Sequence, residues 1–319
     1  MDNVAIPQLL DDESLYHYTT AQAVQRIIEN NEMWVTRSDF LNDKSEMKYI
    51  DEIIQEVCDE AIEDKRASKI FGQGVIGLMK DLDTNPMTGD KVKYYILSFS
   101  LEPDSLTLWS EFSGLKGYNI ELEANGLYEN ICRYNHKLQV EKGKVIYNRS
   151  EQKGLLLRAL SHIVERVKGQ DINCIMTNYM NTEKDTLPII NLEYLNNRVK
   201  GSKEIVDFGL IVFDFACMCI LYSMFFKKPC FQQEREYRMI MSEVASKEAK
   251  VKSEFRCKGE IFLPYIRVKL EEDKKTLPIK SVRIAPINSM DLAMKGMNVF
   301  LRERGYNIDV IPSDIPLRY

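Results

Sequence analysis

Apolar positions along this chain change their period several times. Leu15, Tyr16 and Tyr18 sit in a short run that reads as a strand over residues 14–20. Beyond it Ala23, Val24, Ile27 and Ile28 recur at helical spacing, so a helix is expected over about 21–30, capped by Thr19 or Thr20 and stopped by Asn30-Asn31. Met33 to Thr36 reads as a second strand, and Ser38 to Asp43 as a loop of backbone-bonding side chains. Glu46 opens a helix expected to run to about residue 70, with Ile50, Ile53, Ile54, Val57 and Ile62 as its stripe. Further strands are expected at Tyr94–Ser100, Gly117–Leu122, Val140–Tyr147, Gln233–Met241, Ile261–Leu270, Ile279–Ala285 and Ile308–Ile311. Further helices are expected at Leu106–Phe112, over 153–168, over about 190–226 and at Ser289–Arg304, the last closed by Gly305. Residues 169–189 follow neither period. Strands and helices do not alternate regularly, which predicts an α+β fold. We read residues 1–319 as a single domain with helical insertions near 46–82 and 150–228.

The segment from Ile205 to Phe226 is apolar enough to imitate a membrane span. It contains Asp207 and Asp214, seven apart on one helical face, which a bilayer centre would not tolerate cheaply. A core helix is the expected outcome, with one of these carboxylates paired or near the surface.

Composition narrows the class. Hydrophobic residues at 45% and charged residues at 29% are ordinary for a globular protein, and the net charge of −5 argues against a generally basic nucleic-acid surface. Cys58, Cys132, Cys174, Cys217, Cys219, Cys230 and Cys257 are odd in number, scattered and without a C-x-x-C, so reduced thiols in the cytoplasm are expected rather than a zinc site or disulfides. Met1-Asp2-Asn3-Val4 shows no secretory signal.

A few polar groups could carry chemistry. His17 is one of three histidines and is either a satisfied half-buried residue or a donor and acceptor for a sugar hydroxyl. Asn42 and Asp43 with Glu46 form a turn and capping box, or else a cation site. Trp109 follows the polar strand end at Ser100 and either packs in the core or stacks on a base. Glu234, Glu236 and Arg238 alternate along the predicted strand onto one face, which is either a salt-bridged exposed surface or the lining of a cleft where Arg238 holds a carboxylate ionised. No Walker, G-x-S-x-G, H-E-x-x-H or G-x-G-x-x-G motif is present.

Taken in order, several pieces resemble the bacterial family known as domain of unknown function 2971. They are Leu15-Tyr16-His17-Tyr18-Thr19, Phe40 to Glu46, Ser98-Phe99-Ser100, Leu108 to Phe112, Lys116-Gly117-Tyr118, Phe226 to Pro229, Glu234 to Arg238 and the tail Pro312 to Arg318. The opening His-Tyr-Thr before an amphipathic helix and a second strand also looks like the start of ADP-ribosyltransferase folds. That likeness implies a mixed β core in which His17 bonds the ribose of NAD and Glu236 or Glu234 is the catalytic carboxylate, ordered by Arg238. Tyr18, Thr19, Asn42 and Ser100 would line the NAD site, and Arg37 or Arg26 would meet the pyrophosphate. Trp34 and Thr36 stand where the histidine–tyrosine–glutamate class has its stacking tyrosine, so nicotinamide stacking falls to Tyr18, Trp109 or Tyr118. The resemblance thus implies an NAD-dependent ADP-ribosyltransferase or NAD glycohydrolase in phage defence or as a toxin. It implies NAD as substrate, no metal, no membrane, and an acceptor that is protein, nucleic acid or water, with room for a partner or antitoxin protein. Two rivals are a non-catalytic sensor on the same fold, and a metal-dependent nuclease using Asp39, Asp43, Glu234 and Glu236.

Overall fold

The computed structural model describes residues 6–10, 13–41, 46–82, 93–166, 171–182, 203–243, 251–271, 276–287 and 290–317. It divides into two compact units. One takes Met1–Ile6, Asp43–Val92 and Ile146–Pro229; the other takes Pro7–Asn42, Lys93–Val145 and Cys230–Tyr319.

The sheet unit contains every strand among the described residues: β1 (Ser14–Thr19), β2 (Glu32–Arg37), β3 (Tyr94–Ser100), β4 (Tyr118–Glu123), β5 (Leu138–Lys144), β6 (Glu236–Glu243), β7 (Glu254–Lys258), β8 (Ile261–Lys269), β9 (Ile279–Ile284) and β10 (Asp309–Pro312). They form one mixed sheet in the order β10-β9-β4-β1-β3-β2-β8-β7, with β5 and β6 branching from β3. Only β9 and β10 pair in parallel among these strands. Helix α1 (Ala21–Asn30) forms where its stripe predicts: the Thr20 side chain accepts from the Ala23 amide, Val24, Ile27 and Ile28 are buried, and Asn31 ends it in the left-handed region at φ 51°.

One face of this sheet is the main core. Leu15, Val35, Phe99, Ile120, Met239, Ile266 and Val282 pack there against α1, α5 (Ala124–Tyr134) and the last helix, Met290–Glu303. The other face carries a smaller cluster of Tyr18, Leu108, Trp109 and Ala285 beneath α4 (Leu106–Ser113).

The helical unit holds α2 (Glu46–Ala61), α3 (Lys65–Leu82), α6 (Arg149–Glu165), α7 (Ile172–Thr182) and α8 (Lys203–Ser223). Its centre is aromatic: Phe71 meets Phe208 and Phe215, and Tyr179 stacks on Phe208 at 3.9 Å. The buried Gln152 is satisfied by accepting from the Tyr49 hydroxyl and donating to the Ile146 and Lys227 carbonyls. The apolar segment is helix α8; on it Asp214 pairs with Arg166 at 3.1 Å, while the Asp207 side chain is outside the described set. Among the described residues no helix is long and apolar enough to cross a membrane. All seven cysteines are unpaired.

Several boundaries differ from expectation. The helix expected from 46 to about 70 is two helices, because Asp64 accepts from the Ala67 amide at 2.7 Å and starts α3 afresh. Helices α5 and α7 and strand β7 occupy stretches that the period did not resolve. Strand β6 starts at Glu236, not Gln233, because Pro229–Glu234 is a short 3₁₀ helix and Arg235 turns through φ 42°. Residues 190–202 and Ser289 lie outside the described residues.

Candidate functional site

The pairing around β3 creates an opening in the sheet. One edge of β3 pairs along its whole length with β6, from Tyr94↔Ser242 to Ser100↔Glu236. On the opposite edge, among the described residues, β1 is registered only at Tyr16↔Ser100 and β2 only at Thr36↔Ile96 and Arg37↔Tyr95. The strands β1 and β2 therefore diverge beside Leu97, Ser98 and Phe99. His17 belongs to that wedge: its ring lies edge-on to Phe99 at 5.8 Å, beside the Ser98 backbone.

A cavity of ≈ 70 Å³ opens here. It collects His17, Tyr18, Ser100, Glu234 and Glu236 from the residues singled out in the sequence. Tyr16, Ser98, Phe99, Leu108 and Phe112 also line it. The alternation that pointed to Ser100 and Tyr18 extends to Ser98 and Tyr16, two residues earlier on the same strand faces. Leu108 and Phe112 are four apart on α4 and so share one side of that helix.

The wall of the cavity is charged and mostly satisfied. Glu236 and Arg238 are adjacent on one face of β6 and form a bidentate pair, Nε donating to Oε1 at 2.9 Å and Nη2 to Oε2 at 2.8 Å. Both are buried. Glu234 is half-buried, and its carbonyl accepts from the Ser100 hydroxyl at 2.7 Å. The two carboxylates therefore reach one cavity from different elements, the 3₁₀ helix and β6, and not by alternation along a single strand. Arg235 between them is anchored by its ion pair to Glu102 at 3.0 Å and by its carbonyl, which accepts from the Leu101 amide.

Burial pushes the His17 imidazole down to about 4. The Ser98 backbone opposes that shift and the nearby positive charge of Arg256 adds to it. His17 is thus neutral at physiological pH and can serve as a hydrogen-bonding group rather than a cation. Burial also raises the Tyr18 phenol, which is fixed by donating to the Glu102 carbonyl and accepting from the Ser105 amide.

The other predicted site residues are elsewhere or otherwise engaged. Trp109 is fully buried, edge-on to Tyr18 at 4.8 Å, and its indole N–H donates to Asp104 at 2.7 Å, so it packs the core and presents no face to a ligand. Tyr118 lines a different cleft, beside Gln25 and Phe300. Thr19 is buried and does not reach the cavity wall. Arg37 is held by Asp39 through two bonds of 2.7 and 2.8 Å, and Arg26 lies over the Trp34 ring at 5.0 Å. Asn42 and Asp43 lie outside the described residues. Among the described residues no three His, Cys, Asp or Glu side chains gather as a metal site.

The chain is therefore a mixed α+β protein whose sheet splits around a small, largely apolar cavity that His17 reaches from one strand and the carboxylates Glu234 and Glu236 from another part of the chain. A family model described as protein of unknown function (DUF2971) matches residues 108–239, which supports the resemblance to that family. No curated protein and no solved structure matches the chain.

Proposed function

We propose that the His17–Glu236 cavity binds NAD and cleaves its nicotinamide–ribose bond, as in an ADP-ribosyltransferase or NAD glycohydrolase on an ADP-ribosyltransferase-like core. The observation that carries this reading is the meeting of His17, from β1, with Glu234 and Glu236, which are distant from it in sequence, at one cavity in a split sheet. In the proposed reaction the C–N bond breaks and its electron pair leaves with nicotinamide. The ribose becomes an oxocarbenium-like cation, which a carboxylate stabilises electrostatically. An acceptor oxygen or nitrogen then bonds to that carbon, and its proton passes to a carboxylate or to water.

The three groups divide this work by their environments. Neutral His17 bonds a ribose hydroxyl. Glu236, oriented by its two bonds from Arg238, would accept from the 2′-hydroxyl. Glu234, which reaches the same wall from the 3₁₀ helix, would stabilise the developing cation. The setting we propose, bacterial conflict, rests on the family resemblance alone.

One observation favours a non-catalytic binding protein as the second reading. At ≈ 70 Å³ the cavity is far below the roughly 300 Å³ or more of ordinary ligand pockets. On the NAD reading Phe112, which lines the cavity while 44% exposed, must swing aside. Purified protein with NAD and a panel of cell extracts tests both. Nicotinamide release that is lost in Glu234→Gln or His17→Ala is the expected result. No release in any extract and no thermal stabilisation by NAD moves the assignment to the non-catalytic partner-binding protein.

A further inference from the structure

Arg256 is half-buried on β7, and its guanidinium stands apart from those around it. Arg37, Arg235, Arg238, Arg267 and Arg283 each lie within 4.0 Å of a carboxylate. Among the described residues Arg256 has no such partner. Its Nη2 donates to the Thr36 hydroxyl at 2.8 Å, and its Nε is buried with no hydrogen-bond partner.

Register places this side chain on the cavity's face of the sheet. Arg256 pairs with Leu263; Tyr265, two residues on, pairs with Thr36; and Thr36 pairs with Ile96. Ser98, two residues beyond Ile96, pairs with Arg238. Strand alternation then sets Arg256, Thr36, Ser98, Glu236 and Arg238 on one side. Arg256 approaches the wedge from β2 and β7, opposite the β1 side that carries Tyr16 and Tyr18. It is also close enough for its charge to act on His17.

A partly buried guanidinium without a counter-ion is costly to keep, and an unfilled buried donor adds to that cost. A planar fork with free donors beside a hydroxyl matches an oxyanion that can accept several bonds at once, and phosphoryl groups do this best. We propose that Arg256, with Thr36, is the receptor for a phosphoryl anion at the wedge. This deepens the NAD reading and rests on it for the identity of the ligand, the pyrophosphate of NAD. It reassigns that role from Arg37, whose guanidinium is taken by Asp39.

Isothermal titration of the full chain with NAD, ADP-ribose, nicotinamide riboside and inorganic pyrophosphate tests the proposal. Arg256→Gln should weaken NAD and ADP-ribose about ten- to a hundredfold, the scale of lost charge-assisted hydrogen bonds. Nicotinamide riboside, which has no phosphate, should bind as to the wild type. Arg256→Lys should fall between, and Arg37→Gln should bind all four as the wild type does. Arg256→Gln should melt no lower than the wild type, because it removes a charge that has no partner. The proposal is overturned if Arg256→Gln keeps wild-type affinity for ADP-ribose and pyrophosphate, or if it melts lower and loses all four ligands equally. It is equally overturned if the wild type binds no phosphorylated ligand. Arg256-dependent binding of pyrophosphate without any binding of NAD or nicotinamide riboside would uphold the anion site and remove the NAD reading.

Discussion

Glu236 and Arg238 close a two-bond fork across one strand face, at 2.9 and 2.8 Å, with 6% and 1% of their surfaces exposed. Removing one partner of such a pair leaves the other buried and charged, which costs about 3–5 kcal/mol, whereas replacing both by apolar groups is often close to neutral. Glu236→Leu and Arg238→Leu should each lower the unfolding free energy on that scale. The double variant Glu236→Leu/Arg238→Leu should recover most of the loss. Urea unfolding of the four proteins gives the cycle, and additive single effects would contradict the pair. Loss of activity in Glu236→Gln therefore has to be read beside its stability, and Glu234→Gln is the cleaner probe of chemistry.

The neutral imidazole of His17 makes stability depend on pH in a known direction. His17 titrates at about 4 in the fold against an ordinary 6.5, so the unfolded chain binds the proton first. Its contribution is complete above pH ~6.5 and is lost as pH falls through ~4, by at most about 3 kcal/mol. His17→Gln should flatten the wild-type decline between pH 7 and 4 in urea titrations. Parallel profiles for the two proteins would show that His17 is not held neutral. A neutral His17 also predicts NAD affinity that is constant from pH 5 to 8, and a tightening toward pH 5 would point to an imidazolium.

Much of the sheet was legible because alternation survives where strands are straight. Tyr94–Ser100 and the capped helix after Thr20 lie where the pattern puts them. The pattern failed where a local turn broke it without changing the periodic signal. Arg235 enters the left-handed region between two carboxylates that alternation would place on one face, and a non-glycine there gives no warning in sequence. The stripe through Ile62 runs on past the break that Asp64 makes. At the site, sequence could name arginines and aromatics but not their partners. Trp109 is committed to packing by Asp104, which is itself held by Ser313 and the Asp314 amide from the other end of the chain. Arg37 is taken by Asp39 only two residues on, whereas the hydrogen-bond partner of Arg256, Thr36, lies 220 residues away in sequence.

The Asp104 junction should be structural. Its carboxylate accepts from Trp109, from Ser313 and from the Asp314 amide, and Arg283 is 3.7 Å away. Asp104→Ala should cost about 2–4 kcal/mol, because buried donors lose their acceptor. The emission of Trp109, isolated in a Trp34→Phe background, should shift to the red as its indole becomes wet. Unchanged emission together with wild-type stability would refute this role.

In the helical unit Phe215 is fully buried and stacked against Phe71 at 6.1 Å. Phe215→Ala should destabilise by about 3–5 kcal/mol through the cavity it leaves. Asp214→Asn, which breaks an exposed pair with Arg166, should change stability by no more than about 1 kcal/mol. Comparable losses in both variants would show that the helix is not packed as described.

The most direct test of the NAD site is a crystal structure of the chain with NAD diffused in. The nicotinamide–ribose should lie in the wedge, with a ribose hydroxyl on His17, the 2′-hydroxyl toward Glu236, Phe112 displaced and the pyrophosphate at Arg256. NAD bound away from His17 and Glu236, or a wedge still closed by its own side chains at saturating NAD, would contradict the account.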